Sequence, residues 1–468
     1  MRNLRRRSPS AHALVGPLLA ATLLFTTACG TVSQATPSPS PTPPAVAQVG
    51  ASPQSATPTA APTTPPATTA TPTVEPTAQP AATDTPTPVP ATNTPAVQPT
   101  QEPAATAVTS QPTVTATPTT AEPRSRAAQP ASVGLHRQFV SELSSGQLTG
   151  TTATDDGQSI ALAKDSQGRY HSQGEVVGPE WTTETEFNNL VLSWNASVPA
   201  AASLTLAVRV QSDGRWSDWY TMGVWRNGQG ASVKGQSNSL GSVNVDTLVL
   251  NRPAQVWQAR GTLTTTDTGQ TPTLRSVTVA TADTRQAPSG PPVTVADGWL
   301  RDLEVPRESQ AIQDPSVAWE ICSPTSLTMI LRYWGANVTL PQLYGGVRDT
   351  TTGIYGNWPL NTAYAGQLGF DAYVARLYSL DQVKNEIAAG HPVILSIKYQ
   401  PGELAGAPLA STSGHIILVR GFAEGGKVIV NDPAAPGVDS VRRVLRADQL
   451  EKVWLRSGGI AYIISPGQ

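Results

Sequence analysis

Cysteine is nearly missing from this chain: 468 residues hold two, Cys29 and Cys322. So few exclude a disulfide framework and a cysteine-built zinc site. Charge is thin as well, at 14% Asp, Glu, Lys and Arg with a net of −2, and no basic footprint points to nucleic acid. The local group Arg442, Arg443 and Arg446 reads as a solvated face. Histidine occurs five times without metal-ligand spacing, so no metal or organic cofactor is implied. An apolar run long enough for an ordinary transmembrane span is lacking too, because the stretch from Ala13 to Ala28 is too short.

That short run is informative in another way. Arg2, Arg5, Arg6 and Arg7 precede it, and it ends in "TTACG", small residues before Cys29, which reads as an export signal. The segment resembles a bacterial lipoprotein signal, with Thr26 where leucine is usual. The resemblance implies a lipidated Cys29 after cleavage, and a protein anchored on the outer face of the cytoplasmic membrane or the cell surface. A lipidated Cys29 cannot pair with Cys322, and the fold is then held by its core alone.

Residues 30–130 are dominated by Pro, Thr, Ala, Ser and Gln. Such a composition cannot bury enough apolar surface to offset its ordering entropy, so a disordered stalk is expected. Pro-rich chain extends about 3.1 Å per residue, giving a reach on the order of a few hundred ångströms.

Short β-like runs fill residues 131–290, among them "LTLAVRV" (204–210), "DTLVL" (246–250) and "RSVTVAT" (275–281). They alternate or concentrate β-branched residues between Gly, Asn, Asp and Pro, which predicts an all-β sandwich or jelly roll. Trp181, Trp194, Trp216, Trp219, Trp225 and Trp257 all fall here. Trp216 and Trp219 lie near a turn in "SDGRWSDWYTMGVW", where ring faces could stack on a sugar or, alternatively, fill the sandwich core.

From residue 295 to 468 the pattern becomes mixed. Leu327, Ile330, Leu331 and Trp334 carry helical spacing, and "DQVKNEIAA" (381–389) before Gly390 predicts a second helix. Strands are expected at "PVILSIKY" (392–399), "HIILVRGF" (415–422), "KVIVND" (427–432) and "GIAYIIS" (459–465). Helices first and an antiparallel sheet afterwards make an α+β domain.

Cys322 stands at the entry to the first of these helices, with Ser323 able to cap and Pro324 suited to the first turn. A helix N-terminus favours a thiolate, but catalysis also needs a base. The candidates are His171, His391 and His415. His415 opens an apolar strand, and Asp432 ends the following one, where a carboxylate could orient an imidazole. His391 follows a helix-stop glycine and precedes a proline, a loop position that keeps it a candidate. An inert, buried cysteine at a helix start remains the bland alternative.

Residues from about 303 to 468 resemble the C39-like family of papain-fold cysteine peptidases, the branch outside the bacteriocin-exporter transporters. The matched stretches are "VPRESQ" (305–310), "CSPTSLTMILRYWG" (322–335), "GHPVILSI" (390–397), "GHIILVRGF" (414–422) and "VIVNDP" (428–433). The resemblance implies that Cys322 is the nucleophile, His415 the general base and later acid, and Asp432 the residue orienting it. Gln310 matches the glutamine whose amide assists the Cys322 backbone N–H at the oxyanion. Gln313 is a second candidate for that role, and Ser323 occupies a place often held by glycine. The region before it looks like the β-sandwich modules that precede secreted cysteine-peptidase domains. The implied reaction is acyl transfer to Cys322 and hydrolysis of a peptide or protein substrate. A cell-wall peptide hydrolase, and a non-catalytic surface protein binding glycan or peptide, are the alternatives.

Overall fold

The computed structural model describes residues 131–467. Cys29, the expected export signal and the expected stalk over residues 30–130 lie outside the described residues. Thirteen strands form one hydrogen-bonded network in the first half. Five of them carry the argument: β1 (Val133–Phe139), β2 (Trp181–Ser197), β3 (Ala202–Ser212), β4 (Thr247–Thr265) and β5 (Thr273–Ala282). The long β4 pairs with β2 through its first part and with β3 through its second, with register shifts between Val249 and Val256. Pro253 sits in that interval, where a residue lacking an N–H costs no ladder bond. The irregularity lets one strand serve two packed layers, and Trp194, Trp225 and Trp257 fill the space between them almost without exposure. The region is the all-β sandwich its alternation predicts.

The second half is α+β. A six-stranded antiparallel sheet is built, in chain order, from β6 (Asp371–Arg376), β7 (Val393–Tyr399), β8 (Thr412–Ala423), β9 (Lys427–Asn431), β10 (Arg442–Arg446) and β11 (Ile460–Ser465). Its spatial order is β6-β11-β7-β8-β9-β10. Around it lie α1 (Cys322–Tyr333), α2 (Leu340–Val347), α3 (Trp358–Gln367), α4 (Leu380–Ala388) and α5 (Ala447–Arg456). Helices and strands interleave here, since β6 precedes α4 and α5 separates the last two strands. A simple helices-then-sheet order is therefore too coarse. Helix α1 is buried from Cys322 through Leu331 and packs on β8, so it behaves as a core helix rather than a surface one.

Strand β6 is a sheet edge, and the sandwich covers it. Outward-facing N–H groups of an edge strand must find partners or water. The Ala372 N–H donates to Asn195 Oδ1 at 3.1 Å, and the Val374 N–H to Ser193 Oγ at 3.1 Å. Arg137 of β1 holds the Asp371 carboxylate with two hydrogen bonds, at 2.5 and 3.1 Å. Helix α3 packs against β2, the Trp358 N–H donates to the buried Asp246 at 3.1 Å, and the Trp225 and Tyr364 rings meet at 6.5 Å. One continuous apolar cluster runs through both halves.

Candidate active site

Two stretches far apart in sequence meet to build the site. Asn431, the last residue of β9, donates from Nδ2 to the Pro306 carbonyl at 3.1 Å. The Gln310 N–H donates to the Pro433 carbonyl at 2.9 Å, and the Ser309 hydroxyl to the Ala435 carbonyl at 2.6 Å. "VPRESQ" is thereby laid along "VIVNDP". The buried Arg420 reinforces the approach segment, donating to Asp302 at 2.5 Å and to the Val305 carbonyl at 3.2 Å.

His415 and Asp432 lie on the neighbouring strands β8 and just past β9. Their contact is His415 Nε2 to Asp432 Oδ1 at 2.7 Å, with the residues 2% and 0% exposed. Asp432 Oδ1 also accepts the Ala434 N–H at 3.0 Å, while Oδ2 is buried without a hydrogen-bond partner. An ionised carboxylate can only accept, so the pair sets Nε2 as the protonated nitrogen and leaves Nδ1 as the acceptor.

Cys322 is the first residue of α1 and fully buried. One helical turn on, Ser326 donates from its hydroxyl to the Ile416 carbonyl at 3.3 Å, which brings that face of α1 onto β8 beside His415. The Cys322 sulfur is engaged rather than free in the structure, and nucleophilic attack requires its reduced thiol form. Ser323 does not cap the helix. Ile321 stands at the cap position without a side-chain bond, and the Ser323 hydroxyl shares a hydrogen bond with Tyr462 at 3.0 Å in the core. A serine in the place of glycine therefore points away from any substrate. Burial raises the pKa of Tyr462 well above the ordinary phenol value, so it stays neutral.

The two glutamines separate. Gln310, 2% exposed, donates from Nε2 to the Ala318 carbonyl at 2.8 Å, in the loop leading to Cys322. It thus bridges that loop and the Asp432 turn, with its Oε1 unpartnered. Gln313 directs its amide backwards, to the Ser309 carbonyl at 3.0 Å and Glu308 at 3.2 Å.

Neither of the other two candidate histidines reaches the site. His391 bonds Glu386 at 3.0 Å and meets Trp334 edge-on. It lies at the opposite end of β7 from Ile397, the register partner of His415, which is on the order of 20 Å along the strand. His171 is exposed in the sandwich.

Tyr399 is a neighbour that sequence patterning did not single out. Burial, and then the charge of Asp432, raise its pKa, and its hydroxyl donates to the Leu409 carbonyl at 3.1 Å. It closes "PVILSIKY", a stretch legible only as a buried strand, so nothing in the sequence signalled it. Trp216 and Trp219 are half-buried and occupy neither the core nor an open face. The Arg209 guanidinium lies 4.4 Å from the Trp216 ring centre and 4.9 Å from that of Trp219, and Arg260 lies 4.6 Å from Trp219. Cation–π contact thus holds both rings against the sandwich surface.

A buried imidazole–carboxylate pair on antiparallel strands, packed against a helix that begins with cysteine, is a papain-like arrangement. Residues 302–462 match the profile of the Peptidase_C39 like family, and residues 134–282 that of the Peptidase C39 N-terminal domain. Residues 302–462 are thus a peptidase domain of the C39-like family, preceded by the N-terminal domain that accompanies it. Among solved structures, a protein described as a C39-like peptidase from Bacillus anthracis aligns over 35% of this chain and 94% of its own, at 17% identity and a TM-score of 0.27. A family two carbohydrate esterase from Cellvibrio japonicus aligns over 43% of this chain and 50% of its own, at 11% identity and a TM-score of 0.16. No curated protein matches the chain.

Proposed function

We propose that this chain is an extracytoplasmic cysteine peptidase, held at a membrane by lipid on Cys29, that cleaves peptide bonds with Cys322, His415 and Asp432. The observation that supports it most is the 2.7 Å contact from His415 Nε2 to Asp432 Oδ1. It leaves Nδ1 to take the thiol proton, which is the division of labour a Cys–His nucleophile needs.

In the first half-reaction the Cys322 proton passes to His415 and the sulfur attacks the carbonyl carbon. The C–N bond breaks as His415 returns that proton to the leaving amine. Water then attacks the thioester, His415 accepts its proton, and the C–S bond breaks with the sulfur recovering that proton. The Cys322 N–H and the second amide hydrogen of Gln310 stabilise the oxyanion. Trp319 and Ile312, exposed by 48% and 57% on the loop before Cys322, supply apolar surface for a peptide side chain.

The test is labelling of the reduced protein with a peptide carrying a thiol-directed electrophile, together with turnover of a peptide panel that includes cell-wall stem peptides. Label that depends on Cys322 together with cleavage of any panel member supports the reading. Label that persists in Cys322→Ser, or no turnover of any peptide, would sink it in favour of a binding scaffold.

A further inference from the structure

Asn431 ends β9 and Asp432 follows it; both are fully buried, yet they serve different partners. Asp432 turns to His415. Asn431 turns to the segment that leads to Gln310, giving Nδ2 to the Pro306 carbonyl at 3.1 Å, and the same amide nitrogen lies 3.5 Å from the Met329 sulfur of α1.

Residues 303–309 belong to no helix and no strand. Backbone carbonyls in such a stretch must find partners elsewhere. The Val305 carbonyl accepts from Arg420 Nη1 at 3.2 Å, and the Pro306 carbonyl from Asn431. Arg420, 2% exposed, also places Nη1 3.4 Å from Asn431 Oδ1, which leaves Nδ2 as the edge of that amide facing Pro306. Its charge is met within the protein: Asp302 accepts from Nε at 2.5 Å, and Glu304 lies 3.9 Å from Nη2. What remains for the guanidinium is a grip on residues 305 and 431.

The far end of the stretch is tied in the same place, because the Gln310 N–H donates to the Pro433 carbonyl at 2.9 Å. Asn431 and Pro433 flank Asp432, so residues 306 and 310 are both fixed to the immediate neighbours of the carboxylate that orients His415. A displacement of about 1 Å at a reacting group can cost on the order of a hundredfold in rate.

We propose that Asn431, oriented by Arg420, is a positioning residue for the oxyanion: it sets where the Gln310 amide stands relative to Cys322. The proposal rests on the cysteine-peptidase reading.

Steady-state kinetics on Asn431→Ala and Arg420→Lys, each alone and combined with Gln310→Ala, test it, alongside alkylation of reduced Cys322 by iodoacetamide at pH 6. Asn431→Ala should lower kcat roughly ten- to a hundredfold with KM little changed. Alkylation should keep its rate, because His415 and Asp432 keep their bond. In the Gln310→Ala background the same substitution should cost less than about threefold, since residues that act through one group do not add. A general weakening of the fold would instead lower both backgrounds alike. Arg420→Lys keeps the cation but not the planar fork, so it should show the same pattern more weakly, and it carries the test if Asn431→Ala does not fold. The proposal is overturned if kcat holds, if KM rises instead, if alkylation slows, or if the loss persists in full in the Gln310→Ala background. No turnover by the original protein ends the peptidase reading and this inference together, whereas any of the contrary results with the original active ends this inference alone.

Discussion

His415 Nε2 meets Asp432 Oδ1 at 2.7 Å in a setting where neither side chain touches appreciable solvent. A buried charge-assisted bond of this kind fixes the ring's orientation as well as its tautomer. His415→Ala should therefore abolish peptide turnover and slow alkylation of reduced Cys322 by iodoacetamide at pH 6. Asp432→Ala should cost less turnover, because the carboxylate orients the ring and transfers no proton. His391→Ala should change neither readout, and an equal loss in the His391 and His415 variants would remove the proposed pairing.

The two glutamines make opposite predictions. If the Gln310 amide assists the oxyanion, Gln310→Ala should lower kcat by about 10²–10³ with KM little changed. Gln313→Ala should leave kcat within a few-fold, since its amide serves Ser309 and Glu308. Steady-state kinetics on the same peptide decides between them.

The covered sheet edge predicts a stability effect far from the chemistry. Ser193→Ala removes the acceptor of the Val374 N–H and should destabilise by about 1–3 kcal/mol, the cost of an unsatisfied buried donor. The urea midpoint should fall without a change in slope. No shift at all would mean that water replaces the hydroxyl.

Asp246 should give the protein an unusual pH response. Burial raises its folded pKa to about 6, against about 3.9 for an unfolded aspartate. Between those values the folded state binds a proton that the unfolded state does not, so this group's contribution to stability falls as pH rises from about 4 to 6 and is flat above. The difference is about 3 kcal/mol from two pKa units. Asp246→Asn should flatten the dependence, which melting temperatures at pH 5 and pH 8 would show. A parallel decline in both proteins would place the effect elsewhere.

Lipidation is tested at Cys29 itself. Cys29→Ala should release the protein from the membrane fraction, and full retention in the variant would end that proposal.

Local chemistry made much of this protein legible. Period-two runs such as "LTLAVRV" are strands under almost any tertiary arrangement, because only a half-buried pleated surface uses that alternation. The helix that starts at Cys322 was readable from its 3.6-residue apolar spacing, and the strands that carry His415 and lead to Asp432 from their apolar runs; family resemblance assigned their roles. Ser323 marks where local reasoning stopped. A serine beside a helix start is a good cap in isolation, but the core places Tyr462 within reach and its hydroxyl turns inward. What covers the edge of β6, why Asp246 is buried, and the hold of Asn431 on Pro306 depend on contacts across more than a hundred residues of chain. Asn195 and Asp246 look like ordinary polar residues in sequence. Only packing the sandwich onto the peptidase sheet removes water from them, and desolvation is what gives each its role.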